Sequence, residues 1–273
     1  MLKVFAKSSV GFSHIERGLP CQDFSAYYKD SERIIISCCD GHGGDAYIRS
    51  KEGSKFASNS VLTVFKAIDS KFIKKYSDKD VEEKIKLQIL CEWNRQVEED
   101  IATHPFKKRE IEGLDEDKRF DIRINPVKAY GTTLSGAILI NNKLIVVSIG
   151  DGECSLLKNG QLERVFDTDD DPVGNITYSM CQEDAFSHLR VRIVDFRGYD
   201  GLLLNTDGLS GPYQTYANLL ESFVKPLFRM VAVHKEEGYI DSFIDYLAHE
   251  KGTGDDVSLA YIINDKFKFN NYK

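Results

Sequence analysis

Residues 130–166 constrain the fold more than any other stretch of the chain. Thr132 to Ile140 is an apolar run, Asn141-Asn142 a turn, and Leu144 to Ile149 the next run. Asp151-Gly152 follows, then Cys154 to Leu157, then Asn159-Gly160, the strongest short-range hairpin signal in the sequence. Neighbouring strands joined by turns this tight pair antiparallel, because a parallel pair needs a crossover of about a dozen residues.

The remaining segments extend this pattern. Residues 3–14 and 23–29 have β-rich, mixed patterning. Arg33 to Cys39 is an almost continuous apolar run, as expected of a strand buried on both faces. Leu189 to Phe196, Gly201 to Asn205 and Val257 to Ile263 complete the strands. Helical spacing is predicted over 44–76, where Phe56, Ser60, Val64 and Ile68 recur beside Val61 and Phe65. It returns over 79–102 with Val81, Ile85, Ile89 and Trp93, and again over 215–233 and 239–250. Pro226 is expected to bend or break the third of these helices. Residues 103–128 and 167–187 read as loops. Strands, two long helices, a strand meander, then helices and a final strand give an α+β domain with mostly antiparallel sheets and helices outside. One domain is expected over residues 1–265, with a short tail at 266–273.

Composition removes several function classes. Lys+Arg number 36 against 43 Asp+Glu, a formal charge of -7, which argues against a nucleic-acid partner. No apolar run approaches the ~18–20 residues that span a bilayer. The N-terminal residues do not read as a signal peptide. Six cysteines without CxxC spacing exclude a zinc ribbon or thioredoxin-type site. A cytoplasmic monomer without membrane or nucleic-acid contacts is the expectation.

Chemistry concentrates first in Asp40-Gly41-His42-Gly43-Gly44-Asp45, between the buried strand and the first long helix. The glycines alone could make a strand-to-helix turn, with Asp45 starting the helix. Gly41-His42-Gly43-Gly44-Asp45-Ala46 also fits GxGxxA, but no ribose-binding acid follows about 20 residues on. A phosphate P-loop is absent. As a metal corner the segment fits well: Asp40 projects from a rigid strand end and Gly41 offers an open carbonyl, the oxygen ligands that hard cations take. His42 beside them can exchange a proton near neutral pH.

The same device recurs. Gly150-Asp151-Gly152, Thr206-Asp207-Gly208 and Gly254-Asp255-Asp256 each put an Asp beside glycine at the edge of an apolar strand, and Asp23 in Cys21-Gln22-Asp23 is a fifth candidate. Any one of these can be an ordinary turn. Gathered at one end of a sheet, such carboxylates repel one another unless cations join them. Two divalent cations would offset four of the excess negative charges.

Taken in order, Cys21-Gln22-Asp23, DGHGG at 40–44, Gly131-Thr132-Thr133, IGDGE at 149–153, NTDGLSG at 205–211 and GDDVSLAYI at 254–262 resemble the metal-dependent protein serine/threonine phosphatases of the PPM or type 2C family. The likeness runs from about residue 8 to residue 263. It implies a four-layer α-β-β-α sandwich with a dinuclear Mn²⁺ or Mg²⁺ site at one end, with room for a weaker third ion. By that resemblance Asp40 bridges both ions and the Gly41 carbonyl binds one. Asp207 and Asp255 bind the other, and Asp151 serves the third. Asp23 would orient the attacking water and His42 protonate the leaving oxygen. Gln22 and Asp256 would act through hydrogen bonds or water. The implied substrate is a phosphorylated protein.

Two positions depart from the family pattern. Gln22 stands where the family often has Glu, and the phosphate-gripping Arg is not in its usual place, leaving His14 or Arg17 as substitutes. The acidic run Asp167-Thr168-Asp169-Asp170-Asp171 lacks the glycine and glutamate of an EF-hand and falls where the family carries a variable flap. Two other readings stay open: a phosphatase-like binding or scaffold domain without activity, and a small-molecule phosphomonoesterase on the same fold.

Overall fold

A computed structural model of the chain describes residues 1–166, 177–211, 215–233, 237–251 and 253–265. The acidic run at 167–171 and the 266–273 tail lie outside these residues.

Among the described residues ten strands form two sheets. They are β1 (Leu2–Ser9), β2 (Phe24–Lys29), β3 (Arg33–Cys39), β4 (Leu134–Ile140), β5 (Lys143–Ile149), β6 (Glu153–Lys158), β7 (Gln161–Arg164), β8 (Arg190–Asp195), β9 (Gly201–Asn205) and β10 (Val257–Asn264). The first sheet has the order β1-β10-β9-β6-β7 and the second β2-β3-β4-β5-β8; every strand pairing is antiparallel. The two-residue turns are the reason. Asn141 and Asn142 have φ of 49° and 63°, Asn159 and Gly160 of 51° and 77°, the left-handed conformations that match strand twist across a tight hairpin.

The helices are α1 (Phe12–Arg17), α2 (Ser50–Ala67), α3 (Ser70–Lys75), α4 (Asp78–Thr103), α5 (Lys108–Ile111), α6 (Glu116–Ile124), α7 (Ala185–His188), α8 (Asp207–Ser210), α9 (Tyr216–Leu219), α10 (Lys225–Val233) and α11 (Glu237–Tyr246). Three apolar cores separate the layers, and strand alternation builds them. Ile34, Ile36, Ala137 and Val146 turn inward to meet Leu156, Leu202, Leu204 and Ile262 of the other sheet. Their neighbours Ile35, Ile138, Ile145 and Val147 turn outward onto Val61 and Phe65 of α2 and Ile85, Ile89 and Trp93 of α4. On the opposite side Phe5, Leu203, Leu259 and Tyr261 pack on Phe223, Leu227, Ile240 and Ile244. The order is helix, sheet, sheet, helix.

Several boundaries differ from the sequence reading. The first strand ends at Ser9, and residues 12–17 turn helical, closed by Gly18 at φ 67°. The helix expected over 44–76 begins only at Ser50, so Asp45 does not cap it; Asp45 instead meets Lys118 at 3.0 Å. It is interrupted at Ile68, and Asp69 caps α3 by accepting from the Phe72 amide at 2.7 Å. Residues 103–128, read as loop, hold α5, α6 and a 3-10 turn at Pro126–Tyr130. These elements are too short to show periodicity, and Asp115 starts α6 by accepting from the Lys118 amide at 2.8 Å. Around Pro226 a π-helical turn (Leu220–Val224) hands over to α10, which puts the proline in a first turn where its missing N–H is tolerated.

Candidate functional site

Antiparallel register gathers the aspartates. Phe24 pairs with Cys39, Leu134 with Ile149, and Ser9 with Val257; Asn205 lies opposite both Glu153 and Leu259. The start of β2, the end of β3, the end of β5, the end of β9 and the start of β10 therefore fall at one end of the two sheets. Asp23, Asp40, Asp151, Asp207 and Asp255-Asp256 occupy those ends.

The floor is buried. Asp23 is 5% exposed and accepts from Thr206 Oγ1 at 2.9 Å. Burial and the neighbouring Asp256, against hydrogen bonds from Thr206 and Ser258, push its carboxyl up to about 7. Asp256 is 3% exposed and accepts from the Gly11 amide at 2.7 Å and the Gln22 amide at 2.6 Å. It thus pins the segment before β2 onto the start of β10. Gly208 lets that corner close, since a Cβ there would lie 2.0 Å from the Asp256 carbonyl oxygen.

Asp40 is half-buried and held through its backbone. Its carbonyl accepts from Thr132 Oγ1 at 2.7 Å and the Thr133 amide at 2.8 Å, and its amide donates to Thr133 Oγ1 at 3.1 Å. Gly41 forms a β-bridge with Thr132. Any Cβ on Gly41 would stand 2.5 Å from the Gln22 carbonyl oxygen, so glycine is needed for the two segments to touch. Asp40 and Asp207 lie close enough for each carboxyl to act on the other. Burial, then the fields of Asp23, Asp207 and Asp151, hold Asp40 well above the usual carboxylate range. Asp207 is also raised, by desolvation and then by Asp151.

Asp151, Asp207 and Asp255 line the open side. Asp151 accepts from Thr177 Oγ1 at 2.7 Å, and Asp255 Oδ1 from the Asp256 amide at 2.9 Å. Among the described residues, no Lys or Arg pairs with Asp23, Asp40, Asp151 or Asp207, and no three His, Cys, Asp or Glu side chains are already gathered as a ligand set. The amide oxygen Oε1 of Gln22 is buried without a hydrogen-bond partner. Excess carboxylates and an orphaned amide oxygen form a donor set suited to a hard divalent cation.

His42 is half-buried beside this group. Its amide donates to the Gly131 carbonyl at 3.1 Å, and its ring meets Tyr47 edge-on at 4.8 Å. Burial lowers its pKa, opposed by the Asp151 charge. The two phosphate-contact candidates separate. Arg17 is exposed and donates from Nε to the Ser13 carbonyl. His14 is 4% exposed, with Nδ1 3.0 Å from Asp256 and Nε2 3.8 Å from Asp255, so it faces carboxylates rather than an open phosphate position. Burial pushes the thiols of Cys21, Cys38, Cys39 and Cys154 up, which removes them as thiolate nucleophiles.

Sequence reasoning missed three contributors: Thr206 as the partner of Asp23, Tyr47 against His42, and His14 as the neighbour of Asp256. Thr206 and Asp23 are 183 residues apart, and no local pattern links them. Tyr47 lies in the stretch expected to be helix.

Comparison with known proteins agrees with this architecture. A family model described as protein phosphatase 2C matches residues 10–247. No curated protein sequence matches the chain. Among solved structures, the serine/threonine phosphatase Stp1 from Staphylococcus aureus is 17% identical, with a TM-score of 0.60 over 97% of this chain and 95% of that one. The Mycobacterium tuberculosis serine/threonine phosphatase PstP/Ppp is 18% identical, with a TM-score of 0.57 over 96% and 98%. A catalytic domain of PstP in complex with two manganese ions is also 18% identical, with a TM-score of 0.57 over 96% and 97%.

Proposed function

The chain belongs to the protein phosphatase 2C family, and on that premise we propose that it hydrolyses phosphoserine and phosphothreonine in proteins at a dinuclear Mn²⁺ or Mg²⁺ site. The observation that carries this reading is the gathering of Asp23, Asp40 and Asp207 at one end of the sheets, each carboxyl raised above its usual range, with no Lys or Arg among the described residues paired to them.

In this proposal Asp40 and the Gly41 carbonyl, Asp207 and Asp255 hold the two ions, and Asp151 serves a weaker third. Bound there, the ions supply Lewis acidity that activates water and offsets phosphoryl charge. Asp23, fixed by Thr206, accepts a hydrogen bond from the attacking water and sets its direction. His42 gives a proton from its ring to the departing seryl or threonyl oxygen, which is otherwise a poor leaving group. Gln22 contributes its orphaned Oε1 as a neutral acceptor. Asp256 holds Gly11 and Gln22 in place and does not itself need to touch an ion. Arg17 is the candidate phosphate contact; His14 is reassigned to steadying the Asp255-Asp256 turn. Because Asp151 and Asp255 stand open, binding is expected to draw them inward.

The manganese-bearing PstP neighbour supports the choice of cation. Residues 1–265 are read as one domain, since β1 pairs with β10 and the amino group of Met1 reaches Asp265. Among the described residues no helix is long and apolar enough to cross a membrane. A cytoplasmic monomer belongs to the same proposal.

The test is turnover of a phosphothreonine peptide and of p-nitrophenyl phosphate with Mn²⁺ and with EDTA. Mn²⁺-dependent hydrolysis of both is expected. No turnover of either would favour the second reading, a binding domain that kept the fold, to which the neutral Gln22 lends support. Turnover of the small ester alone would move the substrate to small phosphomonoesters.

A further inference from the structure

His42 carries the proton in the proposed chemistry, so its ring must be aimed. It sits between Gly41 and Gly43-Gly44, residues with wide backbone freedom. Catalytic histidines are commonly oriented by a carboxylate or carbonyl on the far ring nitrogen. Among the described residues neither ring nitrogen of His42 has a hydrogen-bond partner. The amide alone does not set the ring, although it ties the backbone to the Gly131 carbonyl at 3.1 Å.

The contact that sets the ring comes from Tyr47. The two ring centroids lie 4.8 Å apart at an interplanar angle of 62°, an edge-to-face pair. Both rings rest on Gly131: a Cβ there would stand 2.3 Å from Tyr47 Cδ1 and 2.8 Å from His42 Cδ2. The missing side chain leaves the space in which they meet.

Tyr47 is itself well held. Its amide donates to the Gly44 carbonyl at 2.8 Å, and its carbonyl accepts from the Ser50 amide at 3.0 Å at the start of α2. Two residues on, the Arg49 amide donates to the Ala129 carbonyl at 2.8 Å. The Tyr47 side chain packs against the core shared by α2 and α4. Between the two rings in sequence, Lys118 of α6 reaches Asp45 at 3.0 Å.

We infer that Tyr47 is the positioning residue of His42: its ring, seated on Gly131, is the wall that keeps the imidazole in one orientation at the cleft. Tyr47 acts through His42 and not on the phosphate. The inference rests on the catalytic reading of His42. An edge-to-face pair favours the held arrangement by about two- to tenfold.

The experiment compares p-nitrophenyl phosphate, whose phenolate leaves readily without a proton, with phenyl phosphate, whose leaving group needs one. The proteins are the wild type, Tyr47→Leu, which keeps bulk and loses the ring, Tyr47→Phe, which keeps the ring, and His42→Ala. Tyr47→Leu is expected to raise the p-nitrophenyl to phenyl ratio of kcat by about five- to tenfold, with each KM within about twofold of wild type. Tyr47→Phe should keep the wild-type ratio, and His42→Ala should raise it at least as far as Tyr47→Leu. Equal losses on both esters in Tyr47→Leu, the pattern of a merely structural residue, overturn the proposal. So does a Tyr47→Phe variant that behaves like Tyr47→Leu. If the wild type turns over neither ester, or His42→Ala keeps the wild-type ratio, the catalytic reading of His42 has failed, and proton NMR of the metal-free protein decides the contact separately. The Tyr47 ring current should displace the His42 ring-proton resonances; that displacement should persist in Tyr47→Phe and vanish in Tyr47→Leu. Resonances unmoved in Tyr47→Leu overturn the assignment of Tyr47 as the wall.

Discussion

Arg49 and Asp40 both carry charge at the edge of the same sheet-and-helix layer, and the protein treats them in opposite ways. Around Arg49 every need is met from within. The side chain is 8% exposed, reaches Asp100 and Glu110 at 3.1 Å each, donates to Tyr130 Oη at 2.7 Å, and lies 4.1 Å from the centre of the Phe106 ring. Asp40 faces other carboxylates, those of Asp23, Asp207 and Asp151. The first site closes a joint between α2, α4, α5 and the Pro126–Tyr130 turn. The second leaves a deficit that an external cation can fill. A closed site should respond to mutation through stability, and an open one through ligand binding.

Three substitutions or conditions can break that contrast. The largest effect is expected in the open site. Asp40→Asn or Asp207→Asn should lower Mn²⁺-dependent kcat/KM at least about a hundredfold, because each removes a carboxylate proposed to hold the ions. Steady-state assays at saturating Mn²⁺ measure it, and rates equal to wild type would dissolve the assignment. Next comes Arg49→Ala. It removes the guanidinium from Asp100 and Glu110, which keep the Tyr130 hydroxyl and the Lys107 amide as donors, and should reduce unfolding free energy by about 2–4 kcal/mol, at the lower side for a buried pair because Glu110 keeps 28% of its side chain exposed. Urea titration reads this loss, while Mn²⁺ affinity should not move; a variant that binds Mn²⁺ poorly yet unfolds normally would reverse the contrast.

The smallest effect is a pH dependence. Burial opposes ionisation of Glu110, but the Lys107 amide and the Arg49 guanidinium outweigh it and hold the carboxyl below its ordinary 4.5. A depressed folded pKa stabilises above the unfolded value and loses that contribution as pH falls through the folded one. The urea midpoint should therefore fall between about pH 5 and pH 3, and the fall should be shallower in Arg49→Ala. Parallel curves for the two proteins would mean that Glu110 does not sense Arg49.

The open site was more legible in the sequence than the closed one, and chain geometry explains why. Asp40, Asp151, Asp207 and Asp255 each sit within two residues of a strand end and beside a glycine, so a local pattern marks them; Asp23 has the strand end alone. Tight turns at Asn141-Asn142 and Asn159-Gly160 then fix the antiparallel order that gathers those ends. The Arg49 joint leaves no such mark. Its partners come from α4, a four-residue helix and a 3-10 turn in the stretch read as loop, where no hydrophobic period is long enough to see. The same limit hid the links from Thr206 to Asp23 and from His14 to Asp256, which depend on sheet closure rather than on neighbours in sequence. The segment from Asp40 to Arg49 misled for a different reason: helical spacing farther along was extended back through glycines that make a loop.

Isothermal titration of the metal-free protein with Mn²⁺, run beside Asp40→Asn and Asp207→Asn, tests the central claim most directly. The wild type should take up roughly two ions per chain and gain thermal stability, by about 2.7 kcal/mol at a hundredfold excess over Kd. Both variants should lose at least one of those binding events. Absence of binding by the wild type, or identical isotherms for all three proteins, would contradict the claim that these carboxylates form a cation site.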